Sequence, residues 1–167
     1  MSFYDATAPL FIHALIALSK VLAKGEAHAK EHGIAPEVLL NARLYPDMFP
    51  LTRQIQLACD FAGRACARIA GTEVPSTPDT ETSFAQLQQR IAATIEGIKS
   101  IPAANYEGGE SRDITFPAGK NTTKTLPGQK FISHVALPNF FFHCTTAYNI
   151  LRHNGVTLGK LDFLGAN

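Results

Sequence analysis

The sequence predicts an all-α fold, a four-helix bundle with a small β-hairpin before the last helix, in one domain over residues 1–167. Three observations predict it. Four segments space their apolar residues at steps of three and four, the stripe by which a helix faces a core. One of these segments opens on a capping-box pattern, Ser83 followed by Gln86. Between the third and fourth segments the periodicity gives way to a stretch rich in glycine and proline, where two short β-prone pieces flank a tight loop.

The first helix carries Tyr4, Ala8, Phe11, Leu15, Leu18 and Leu22 on one stripe, which Ile12 and Ile16 widen. Charge returns from Lys24 to His32, and Gly33 closes the segment as a helix-ending glycine. Pro36 to Leu40 reads as a short helix that Pro46 interrupts. The second long helix is expected from Asp47 to Ala70, with Asp47 as N-cap ahead of Met48, Pro50 in the first turn and Gly71 as the stop. Residues 71–82, holding Pro75 and Pro78, read as a loop. The third helix starts at Ser83, follows Phe84, Leu87, Ile91, Ile95 and Ile98, and ends near Ser100 before Pro102. In the aperiodic stretch from Ala103 to Gln129, the pieces Asp113–Phe116 and Thr122–Leu126 form a hairpin around residues 117–121. The fourth helix runs from about Pro138 to His153, closed by Gly155, and the apolar tail from Val156 to Leu164 packs back on the bundle. Short connections between such helices imply antiparallel neighbours.

Composition excludes several function classes. With 46% hydrophobic and 17% charged residues, the chain is not of the disordered type. A net charge of +1 and scattered Arg and Lys leave no footprint for nucleic acid or an anionic membrane. The apolar run Pro9 to Leu18 is broken by His13 and falls far short of the roughly 20 residues that span a bilayer. Only Asp5 precedes it among charged residues, against a signal peptide, so a cytoplasmic location is expected. Cys59, Cys66 and Cys144 are too few for a disulfide framework and include no Cys-x-x-Cys pair; the first two read as buried thiols. Serine-hydrolase elbows, phosphate-cradling loops and EF-hand spacings are absent.

Three stretches carry a family resemblance. They are Arg43-Leu44-Tyr45-Pro46-Asp47-Met48-Phe49-Pro50-Leu51 with Gln54, Pro138-Asn139-Phe140-Phe141-Phe142-His143 continuing to Gly155, and the tail Gly159 to Gly165. Together they resemble an uncharacterised bacterial domain-of-unknown-function family, a branch of the DinB/YfiT-like superfamily grouped as metalloenzymes. The resemblance implies a DinB-like bundle, frequently dimeric, with any site in a cleft between helices. It also implies a metal on three histidines, one from the second helix and two, four residues apart, from the fourth. This sequence departs from that pattern. His143 stands at the first fourth-helix position, but Ala147 follows four residues on, and no histidine occurs between His32 and His134.

The candidate residues of the cleft are therefore Asp47, Gln54, His143, Tyr148 and His13. His143 shares a stripe with Phe140, Ala147 and Ile150, where an imidazole is either a satisfied core group or a proton carrier or single ligand. Asp47 and Gln54 lie seven residues apart on one face and could meet it in a polar pocket. Tyr148 could turn its hydroxyl inward or pack in the core, and His13 could reach the cleft or sit at its boundary. No cofactor is expected; if a divalent nickel or zinc ion binds, His143 and Asp47 are its donors, a set short of ligands. The leading expectation is a degenerate metal site in a homodimer that binds a small molecule in the cleft or acts as a partner protein. The alternative is a metal-dependent transferase or hydrolase using His143 with replacement ligands.

Overall fold

The computed structural model describes residues 2–166. Helix α1 (Ala8–Glu31) is followed by short α2 (Pro36–Leu40), α3 (Leu51–Ala70) and α4 (Phe84–Lys99). A 3-10 turn (Ala103–Tyr106) leads to antiparallel strands β1 (Asp113–Pro117) and β2 (Thr123–Pro127), in register from Asp113 opposite Pro127 to Pro117 opposite Thr123. A last helical run then begins at α5 (Gly128–Phe131), passes a π-helical turn (Ile132–Ala136) and continues as α6 (Leu137–His153); α7 (Lys160–Leu164) follows.

The long helices α1, α3, α4 and α6 make the expected bundle, but their directions do not alternate. Phe11 meets Phe140 edge to face at 4.9 Å and Gly25 lies against Leu151, so α1 and α6 run parallel. Arg90 pairs with Asp60, and Gly63 lies beside Thr94, so α3 and α4 also run parallel. Gln54 against His143 and Ile69 against Gly128 set α3 antiparallel to α6. A parallel neighbour demands a return path as long as the helix. The 20 residues of α3 rise about 30 Å, which the irregular chain over 71–82, at about 3.3 Å per residue, can retrace. That crossover corrects the expectation of short connections and antiparallel neighbours throughout.

Two helix starts also differ from expectation. Asp47 is not an N-cap: α3 begins at Leu51 behind an extended Pro50, and Asp47 lies in an exposed turn. Proline disfavours the helical region for the residue before it, which works against a helix that would start at Asp47 and run through Phe49 into Pro50. At the other end of the chain, helix begins ten residues before Pro138. Proline has no N–H and its ring crowds the carbonyl four residues back, and the wide turn just ahead of it, where the Leu137 N–H donates to the Ile132 carbonyl, relieves that crowding.

Local signals otherwise hold. Ser83 caps α4 by accepting from the Gln86 N–H at 3.2 Å, while the Gln86 side chain accepts from the Thr82 N–H at 2.7 Å. Gly71 ends α3 at φ 66°, a left-handed turn that glycine adopts without strain. Phe11, Leu15, Leu22, Leu51, Ile55 and Phe140 are fully buried at the centre of the core. By length and composition α1 could cross a membrane; in this fold Phe11, Leu15, Leu18 and Leu22 face the core, whereas Ile16, expected to widen that stripe, is exposed. The tail does pack back: α7 lies on α1, where Lys24 pairs with Asp162 at 2.7 Å.

Candidate functional site

His143 projects from the middle of α6 towards the first turn of α3. Its Nδ1 lies 2.7 Å from the Gln54 Oε1, and both residues are buried. The Gln54 amide is oriented by its other end, where Nε2 donates to the Phe49 carbonyl at 3.0 Å. An amide oxygen only accepts, so the proton of the shared bond belongs to His143 Nδ1. The Nε2 of the imidazole then keeps its lone pair, and no hydrogen bond from the described residues reaches it. Burial, and after it the charge of Arg53, push the His143 pKa down to about 4, so the ring is neutral near pH 7.

Aromatic side chains frame the ring. Phe61 of α3 stacks on it with centroids 5.6 Å apart and planes 18° from parallel, and Phe142 meets it edge-on at 5.3 Å. Phe49 and Phe142 are each more than half exposed, and the Arg53 guanidinium lies over the Phe49 ring at 5.8 Å. The result is a buried polar pair flanked by Phe61 and Phe142, with Arg53 close enough for its charge to be felt by the ring.

Of the five candidates, the structure brings together Gln54 and His143. Asp47 is exposed in its turn, and no hydrogen bond joins its carboxylate to either of them. Tyr148 lies five residues beyond His143 on α6 and packs edge-on against Phe163 of α7 at 5.9 Å. It lines a small cavity with Ala14, Leu18 and Cys144, away from Gln54. His13 is exposed and its Nε2 donates to the Leu164 carbonyl at 2.8 Å, so it fastens α7 to α1 rather than reaching the cleft. Phe61 and Arg53 were missed as site residues. Phe61, seven residues after Gln54, was legible as a same-face neighbour; Arg53 acts by charge and left no such signature.

A second polar cluster stands between α3, α4 and the crossover. Arg90, its side chain 3% exposed, pairs with Asp60 at 2.8 Å, Asp79 at 3.1 Å and Glu81 at 2.9 Å, and donates to the Pro78 carbonyl at 3.0 Å. Gln56 donates to Glu81 at 2.8 Å, and Arg53 pairs with Asp79. Burial pushes the Glu81 carboxyl up, but the bonds from Arg90 and Gln56 outweigh it and hold the pKa below the usual value. The cluster borders a groove of about 730 Å³ walled by Gly63, Ala67, Ala93 and Gly97. A charged residue three places after Leu87 on the buried face of α4 was its signal in the sequence.

The donors around His143 do not fit a three-histidine metal centre. One ring nitrogen is committed to Gln54, Ala147 has no donor, and among the described residues no three His, Cys, Asp or Glu side chains converge on one point.

Comparison with known proteins places this geometry. A family described as a domain of unknown function (DUF1993) matches residues 3–164. A solved structure described as a DinB family member protein from Shewanella denitrificans is 41% identical, covering 98% of this chain and 92% of that one, with a TM-score of 0.91. No curated protein matches the chain.

Proposed function

The chain belongs to the DUF1993 family and has the fold of a DinB family member, and from that footing we propose that it binds a small organic molecule at a degenerate metal site. The observation that carries this reading is the chain of two bonds from His143 through Gln54 to the Phe49 carbonyl, which fixes the imidazole tautomer. A ring held this way offers one lone pair to a hydrogen-bond donor. Phe142 at its edge and Phe61 stacked on it favour a flat apolar body, and the nearby Arg53 disfavours a cation. The ligand class is therefore a neutral molecule with a donor group and an aromatic or aliphatic surface.

Binding is favoured over acid–base chemistry by the same environment. A base with a pKa of about 4 has little driving force to take a proton at neutral pH. The metal-dependent transferase or hydrolase reading needs a second donor, and Asp47 in its exposed turn is not bonded into the pair.

Two measurements test the proposal. A fragment screen followed by ¹⁵N resonances of the imidazole is expected to find neutral donors that shift His143 Nε2, with binding lost in His143→Ala. Binding that survives in His143→Ala and Gln54→Ala overturns it. Metal analysis of tag-free protein is expected to find no stoichiometric transition metal, and near-equimolar nickel or zinc bound at His143 would instead support the enzyme reading. A cytoplasmic homodimer completes the proposal, with exposed Phe49, Phe142 and Leu161 as apolar surface for a second copy.

A further inference from the structure

Far from the His143–Gln54 pair, two imidazoles stand one turn apart where α1 ends. The rings of His28 and His32 stack with centroids 4.1 Å apart and planes 30° from parallel. His32 Nδ1 lies 2.9 Å from the His28 backbone carbonyl. A carbonyl only accepts, so that nitrogen carries the proton and His32 Nε2 keeps its lone pair. His28 is half-buried and its ring makes no hydrogen bond among the described residues. The turn after α6 supports it from one side: a Cβ on Gly155 would stand 3.7 Å from its Cε1 and Nε2.

We infer that His28 and His32 form a two-imidazole site for a divalent transition-metal cation. Side chains four residues apart share a helix face, so both rings can turn towards one ion. Two metal–nitrogen bonds of about 2.0–2.1 Å require nitrogens roughly 3 Å apart, and rings already 4.1 Å apart reach that by rotation about their side-chain bonds. Imidazole donors suit zinc, copper and nickel, whereas magnesium and calcium demand oxygen. The electrostatics agree. The C-terminal end of the α1 dipole carries partial negative charge. Lys24, one turn earlier on the same stripe, is drawn aside into its pair with Asp162. Water completes the coordination shell, so the ion exchanges readily and staples the last turn of α1 when present.

The test uses the whole tag-free chain with metal salts alone. Copper(II), added substoichiometrically, is expected to broaden backbone amide resonances around residues 28–32 and 155. Zinc titration by calorimetry is expected to show affinity falling roughly tenfold or more in His28→Ala and in His32→Ala, with His153→Ala unchanged. Zinc is also expected to raise the Tm of the parent and not of His32→Ala, whose exposed side chain is not needed for folding. Broadening centred elsewhere, or zinc affinity that stays at the parent's value in either single variant, overturns the inference. Broadening centred on His143 would overturn it too, and would bear separately on the metal-free reading of that site.

Discussion

The imidazole of His143 donates its Nδ1 proton to the side-chain oxygen of Gln54 across 2.7 Å, joining α6 to α3 through a single buried bond. Because Gln54 is itself held by the Phe49 carbonyl, the segment ahead of α3 sets the protonation geometry of a ring nearly one hundred residues later.

That bond makes stability depend on pH in a definite direction. With a folded pKa of about 4 against an ordinary value of about 6.5, the unfolded chain binds more protons in this window, so stability rises with pH across it. Relative to neutral pH, the loss approaches about 3 kcal/mol as pH falls to 4. Urea denaturation at pH 7 and pH 4.5 is expected to show this slope in the parent and a flatter one in His143→Gln. Replacing the partner, Gln54→Glu, puts a carboxylate against the ring and should raise its titration midpoint, read directly by NMR.

Arg90 is the knot that holds the crossover. Removing its charge leaves the largely buried Glu81 without its counter-ion and Asp60 with Arg64 alone at 3.1 Å, a loss of the size seen when one partner of a buried pair is deleted, about 3–5 kcal/mol. Arg90→Met is expected to lower the denaturation midpoint by a corresponding amount. Limited proteolysis should then cut within residues 72–82 faster than in the parent.

Gly128 admits no side chain. A Cβ there would lie 1.9 Å from the Gly109 carbonyl oxygen, a backbone atom that cannot swing aside. Gly128→Ala is expected to cost several kcal/mol or to abolish folding, whereas Gly97→Ala, which meets nothing within 4 Å, should be neutral or slightly stabilising. Thermal melts of the two variants make the comparison.

The three thiols are buried, and burial pushes Cys59 and Cys66 up to about 12 and Cys144 higher still. A thiolate-selective reagent is therefore expected to leave all three unmodified in the native state and to titrate three groups after unfolding.

The proposed homodimer is checked by light scattering at micromolar concentration. Twice the chain mass is expected. A monomer mass refutes it, and if the dimer forms, Phe142→Glu should weaken it.

How legible all this was in the sequence depended on how local each cause is. Helix α4 was readable because Ser83, Gln86 and the apolar stripe act within one turn, and the hairpin because its loop is five residues long. Asp47 misled: a favoured cap residue lost to Pro46 and Pro50, which hold the chain outside the helix for several more positions. The helical run ahead of Pro138 was hidden because glycine and proline in that stretch mask a start that docking against Ile69 supports. His143 and Gln54 were each identified as candidates, but their pairing depends on the antiparallel run of α3 and α6, which no local pattern encodes. His13 looked like a cleft residue for the same reason; its partner, the Leu164 carbonyl, lies at the other end of the chain.

The parallel pairing of α1 with α6 has a consequence for how the molecule comes to be. Phe11 waits for Phe140, Gly25 for Leu151 and His13 for Leu164, so one flank of α1 is covered only by segments made long after it, whereas α4, with Gln88 bonded to Ser19, covers another flank earlier. Closing such distant loops is slow, and the α3–α4 unit, whose partners are close in sequence, is placed to form first. A nascent chain must therefore carry an apolar first helix without its final cover for most of its synthesis, which is the interval in which a chaperone would find it.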